Sequence, residues 1–73
     1  MTVYKAVEYL KKWQYGALFK PEKKFIDDLW EAVQGGENPS NEWLRENCGI
    51  SPKQEHRVWQ IGKRFLITKE SKA

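Results

Sequence analysis

The stretch that most restricts the fold is residues 51–66, SPKQEHRVWQIGKRFL. Ser51 is a good N-cap, Pro52 suits the first helical position, and Gln54 stands three residues after the cap. Ser-x-x-Gln is a capping box, in which side chain and backbone satisfy each other's orphan N–H groups. From that start Val58, Ile61, Phe65 and Leu66 recur at helical spacing, with Trp59 flanking them. Lys53, Arg57, Gln60 and Arg64 share the opposite face, and His56 and Lys63 widen it. Glu55 is the only acid between Pro52 and Leu66. A helix with one oily edge and one cationic edge must bury the first against other elements and offers the second outward.

The remaining chain supplies those elements. Helical patterning predicts four helices near 3–14, 21–34, 41–48 and 52–66, an all-α small four-helix domain. In the first, Val3, Ala6, Val7, Leu10 and Trp13 form the apolar stripe, Thr2 is the cap, and Gly16 ends it in the left-handed conformation that glycine adopts cheaply. In the second, Pro21 starts a stripe of Phe25, Ile26, Leu29, Trp30 and Val33, while Asp27, Asp28 and Glu31 face away. Gly35-Gly36 stops it. The third starts at Ser40 or Asn41, contributes Trp43, Leu44 and Cys48, and ends at Gly49. The connector Tyr15 to Lys20 is rich in apolar groups and either folds over the core or faces a partner. The expected core is Val7, Leu10, Trp13, Phe25, Leu29, Trp30, Val33, Leu44, Ile50, Val58, Ile61 and Phe65.

A chain of 73 residues makes one domain, with 1–68 as the helical unit and 69–73 as a frayed tail. Four Trp, three Tyr and three Phe help so small a core, because each ring buries much apolar area. No run approaches the ~20 apolar residues of a membrane span, and the N-terminus lacks the apolar region of a signal peptide. Cys48 is the only cysteine, so no internal disulfide can form, and a reducing cytoplasm fits best. Charge is segregated. Residues 1–24 hold six Lys and two Glu, net +4; residues 25–50 hold six acids and Arg45, net −5; residues 51–73 hold six Lys or Arg and two Glu, net +4. Surfaces of opposite sign favour an oriented electrostatic encounter.

The run from Leu44 to Val58, LRENCGISPKQEHRV, resembles the core of a bacterial helix-turn-helix DNA-binding domain. In that pattern an apolar and then a small residue open the first helix, Gly-(Ile/Val)-Ser marks the turn, and a polar recognition helix follows. Leu44, Gly49, Ile50, Ser51 and Val58 fall in register, with Cys48 as the small apolar residue. The resemblance covers residues 41–66. Two positions depart from it: Arg45 stands where Ala is usual, and Glu55 stands where an apolar residue packs between the helices. A buried unpaired Glu is costly, which on this reading splays the two helices apart.

The resemblance implies a small DNA-binding regulatory protein of phage or bacterial type, without enzymatic activity or cofactor. Its last helix would enter a major groove. Lys53, Gln54 and Arg57 would approach base edges, and Lys63 and Arg64, with Lys69 and Lys72, would touch phosphates. Gln60 completes that face. Reversing charge at Arg57 and Arg64 together is expected to abolish binding and leave the fold intact. A homodimer is compatible with so short a reading helix. Two other modes stay open. Tyr4, Trp13, Tyr15 and Phe19 interleave with Lys5, Lys11, Lys12 and Lys20, a pattern suited to stacking on single-stranded bases. The charge blocks also suit a helical protein-interaction module that docks on a larger protein. Catalysis is not indicated: His56 and Cys48 flank the predicted turn with no third group to orient them, and no Cys/His set has zinc spacing.

Overall fold

A computed structural model describes residues 1–34 and 39–67. The Gly35-Gly36 stop and the tail 69–73 lie outside the described residues. Four α-helices follow one another, α1 Val3–Trp13, α2 Lys20–Ala32, α3 Asn41–Asn47 and α4 Pro52–Lys63, with a 3-10 turn at Tyr15–Ala17 between the first two. The all-α expectation holds, and each helix starts within one residue of its expected position.

Local chemistry accounts for the starts. The Thr2 hydroxyl accepts from Lys5 N–H at 3.2 Å, and the Ser40 hydroxyl accepts from Trp43 N–H at 3.1 Å. At α4 the capping box is complete: Ser51 Oγ accepts from Gln54 N–H at 3.2 Å, and Gln54 Oε1 accepts from Ser51 N–H at 2.8 Å. Phe19 precedes α2 and has no side-chain acceptor, so only the return half of a box forms, with Glu22 Oε1 accepting from Phe19 N–H at 2.9 Å. Each satisfied N–H removes one orphan donor of the first turn.

The helix α1 is central and packs against both α2 and α4. Its Val3, Ala6, Val7 and Leu10 are fully buried. Tyr4 meets Trp30 with ring centroids 5.9 Å apart, while Lys11 meets Asp27, so α1 and α2 run in opposite directions. The start of α3 is tied to the start of α1, where Val3 N–H donates to Asn41 Oδ1 at 2.9 Å. Ile26, Leu29, Leu44, Val58 and Ile61 complete the helical part of the core, joined by Val33 just past α2 and Ile50 in the link between α3 and α4.

Three differences from the sequence reading have physical causes. Trp13 is 75% exposed and not a core residue. The core instead draws on Leu18 and Ile67, both 5% exposed and both outside the α-helices. Phe25, Trp30 and Phe65 lie at its margin, half-buried. Gly16 is not left-handed; it sits in the 3-10 turn, and α1 ends before it at Trp13. The glycine that does use its freedom is Gly49, at φ 67°, in the link between α3 and α4.

The end of α4 carries an unusual residue. Ile67 N–H donates to Gly62 O at 2.9 Å and Leu66 N–H donates to Lys63 O at 3.1 Å, the paired bonds of a Schellman ending. The left-handed position of that motif is normally glycine, yet here it is Leu66, at φ 61° and 91% exposed. An L-residue in this conformation costs roughly 1–2 kcal/mol. Gly62 stands where a Cβ would come within 3.0 Å of Ile67 O, which lets Ile67 fold back into the core.

The burial pattern makes a direct prediction. Leu10→Ala removes a fully buried side chain from the central helix and is expected to cost about 3 kcal/mol, whereas Trp13→Ala changes stability by less than about 0.5 kcal/mol. Chemical denaturation of the two variants separates them; equal losses would mean that Trp13 packs in solution.

Candidate nucleic-acid interface

The seam between α3 and α4 brings together the two residues that depart from the helix-turn-helix pattern. Glu55 is buried, and Arg45 reaches across to it. Arg45 Nε donates to Glu55 Oε2 at 2.6 Å and Nη2 donates to Oε1 at 2.9 Å, a bidentate pair. The Glu55 carboxylate is therefore met rather than stranded, and the cost that would have splayed the helices is offset. The Glu55 side chain keeps the guanidinium of Arg45 above its already high ordinary value, through the hydrogen bonds first and charge second. On the same seam, Asn41, Arg45, Pro52, Glu55, His56 and Trp59 line an open cleft of about 250 Å³.

The outer face of α4 is less uniform than its sequence suggests. Lys53, His56, Arg57, Gln60 and Lys63 are exposed. The Gln54 side chain is committed to the cap of its own helix. Arg57 lies over the Phe25 ring, 4.6 Å from its centroid, which holds the guanidinium near the surface of α2.

Arg64 is engaged by the molecule itself. Its Nη1 and Nη2 donate to Glu22 at 2.6 and 2.8 Å, and Nη2 also approaches Ala17 O at 3.4 Å. Phe19 and Phe65 present their rings to the same guanidinium, with centroids at 4.7 and 5.3 Å. This clasp ties the end of α4 to the start of α2. A charge reversal at Arg64 would set two carboxylates against each other, so the expectation that Arg57 and Arg64 can be reversed together without harm to the fold does not stand. Spacing alone could not separate Arg64 from Lys53, because the partner Glu22 lies 42 residues away in sequence.

The row of rings expected for single-strand stacking is broken up. The Tyr15 hydroxyl donates to Asp27 at 2.7 Å, and Lys11 and Lys23 lie over its ring at 4.5 and 5.4 Å. Tyr4 is half-buried against Trp30. Only Trp13 and Phe19 of the four are exposed. Asp27 does not face away with Asp28 and Glu31 as its spacing suggested. Lys11 and then Tyr15 hold its carboxyl below the ordinary value, and Asp27 in turn raises both of theirs.

No helix among the described residues is long and apolar enough to cross a membrane. No group of three His, Cys, Asp or Glu among them is placed to hold a metal ion.

The pair on the seam has a measurable signature. Arg45→Ala strands a buried carboxylate and is expected to lower the thermal midpoint by roughly 10 °C, while Arg45→Leu combined with Glu55→Leu recovers most of that loss. A double variant less stable than Arg45→Ala would show that the ion pair itself holds the helices.

The clasp predicts a pH dependence. Hydrogen bonds from Arg64 hold the Glu22 carboxyl below its ordinary value of about 4.5, assisted by Phe19 N–H and opposed by burial. A depressed folded-state pKa gives stability that is present above the unfolded value and lost as pH falls through the folded one. Acidification below about pH 4.5 is thus expected to lower the thermal midpoint, and Glu22→Gln to show a shallower fall. Parallel curves for the two proteins would remove the clasp as the source.

No protein-family model matches the chain, and no curated protein and no solved structure matches it either.

Proposed function

We propose that this is a small nucleic-acid-binding regulatory protein that sets α4 on duplex DNA in the manner of a helix-turn-helix. The observation that carries the reading is the seam: Arg45 and Glu55, the two misfits to the pattern, neutralise each other across it at 2.6 and 2.9 Å. Three features support it further. Gly49 is left-handed in the turn, α4 opens with a complete capping box, and the cationic side chains Lys53, Arg57 and Lys63 remain exposed along the helix.

The roles differ from those that spacing suggests. Lys53, Arg57 and Gln60 are the groups for base edges, with Arg suited to guanine and Gln to adenine. Lys63 and His56 suit the phosphate backbone, and phosphate contacts set register and affinity without reading sequence. Gln54 serves the cap and Arg64 the clasp. A second reading, a protein-interaction module, is favoured by one observation: Trp13, Phe19 and Leu66 remain 75, 66 and 91% exposed.

Salt titration of duplex binding is the test. Each phosphate contact adds about 0.9 to the slope of log affinity against log salt, so Lys63→Ala is expected to reduce the slope by about that amount. Arg57→Ala is expected to relax sequence preference by about 1–3 kcal/mol. A protein that binds no duplex even at low salt is not a DNA-binding protein, and a partner retained from nuclease-treated lysate would move the assignment to the second reading.

A further inference from the structure

Two exposed surfaces with unlike charges beside them stand at opposite ends of the molecule. At one end lie the C-terminus of α1, the start of α2 and the end of α4, joined by the Glu22–Arg64 clasp. Here Phe19 is 66% and Leu66 91% exposed, and Lys20 and Lys24, one helical turn apart on α2, are exposed beside Phe19. At the other end α3 sits against the start of α1 through the Val3–Asn41 hydrogen bond and against the start of α4 through Arg45–Glu55. The outer side of α3 presents Trp43, 37% exposed, between exposed Glu42 and Glu46. Among the described residues neither the two lysines nor these two glutamates are within ion-pair distance of an opposite charge. One end is therefore apolar with a basic rim, and at the other the outer face of α3 sets an aromatic ring between two carboxylates. The helix α4, 12 residues or about 18 Å long, runs from one to the other.

Leu66 sharpens the point. Its left-handed backbone position favours glycine, and its side chain buries almost nothing in the monomer. Neither the local conformation nor the core calls for a leucine there. An apolar side chain set on a strained, exposed corner is what a contact anchor looks like.

We infer that the chain associates with a second copy of itself head to tail, the Phe19/Leu66 end of one protomer seating on the Glu42/Trp43/Glu46 end of the next. Charge complementarity selects this occupant. Two basic-rimmed ends repel each other, as do two acidic-rimmed ends, so a two-fold contact through either end is disfavoured and a heterologous one remains. Because the two surfaces lie at opposite ends, the contact does not close on a pair, and an open row of protomers results. The inference uses no part of the nucleic-acid reading and is tested without DNA.

Sedimentation equilibrium of the full chain is the experiment, up to roughly 1 mM protein, where even a millimolar contact is about a third formed. The wild type is expected to gain mass continuously with concentration, past the dimer, and to lose that gain in high salt. Leu66→Asp blocks the basic end, and Glu42→Lys with Glu46→Lys blocks the acidic end; each is expected to stay monomeric alone. An equimolar mixture of the two retains one good end from each and is expected to form a dimer and nothing larger. Leu66→Gly is expected to abolish growth while holding or raising the thermal midpoint, which a purely structural leucine would not do. A wild type that stays monomeric at the highest concentration overturns the inference. So does growth that stops at the dimer, and so does a mixture that fails to pair.

Discussion

The seam between α3 and α4 is possible only because Arg45 meets the buried Glu55, while α4 itself packs on the central α1. A carboxylate on the inner side of a helix–helix seam is tolerated only where its charge is met and its oxygens are hydrogen-bonded. Arg45 does both at once, because the planar guanidinium matches the two carboxylate oxygens. Leu44 on α3 and Val58 on α4 are both buried, and left-handed Gly49 turns the chain between the two helices. Taken singly, each of the two charged residues breaks the apolar pattern of such a seam. Taken together they replace a hydrophobic contact with a directional one, and a directional contact restricts how the second helix can rotate about the first.

Similar pairings determine what the surface can offer. Lys11 with Asp27 and Arg64 with Glu22 each join different helices, and each withdraws charge that the composition counts as free. Rings take part as well, since Phe19, Phe65, Tyr15 and Phe25 all lie beneath cationic groups. For Phe65, Tyr15 and Phe25 those contacts cover aromatic area at the margin of a core too small to swallow it, whereas Phe19 stays largely open. The basic groups that remain outward on α4 are fewer than its sequence contains, and they run along it from Lys53 to Lys63. That residual side supports the DNA-binding proposal that the seam carries, and the exposed Phe19 and Leu66 at the far end are one half of the proposed self-association.

Helix starts were legible because they are local. Thr2, Ser40 and Ser51 each satisfy an N–H three residues on, and no distant residue can change that geometry. The apolar stripes were legible for most of their length for the same reason. Trp13 was not, because a stripe states which face of a helix is apolar and not where the neighbouring helices end. Ile67 was missed because its burial depends on Gly62 admitting it, a close approach that no periodicity encodes. Leu66 looked like the last residue of an apolar stripe, but the Schellman turn rotates it out of that register.

The candidate site divides along the same line. By itself the sequence determined four helices, the caps that begin them, the apolar edge of α4 and the presence of cations opposite it, since all of these follow from residue type and spacing within one segment. Only the tertiary structure decided which cations stay exposed, that Glu55 is paired and not stranded, and which large apolar side chains face solvent. Those outcomes turn on partners 10 to 42 residues away in sequence, and a carboxylate or a ring meets its partner through the fold and not through the chain.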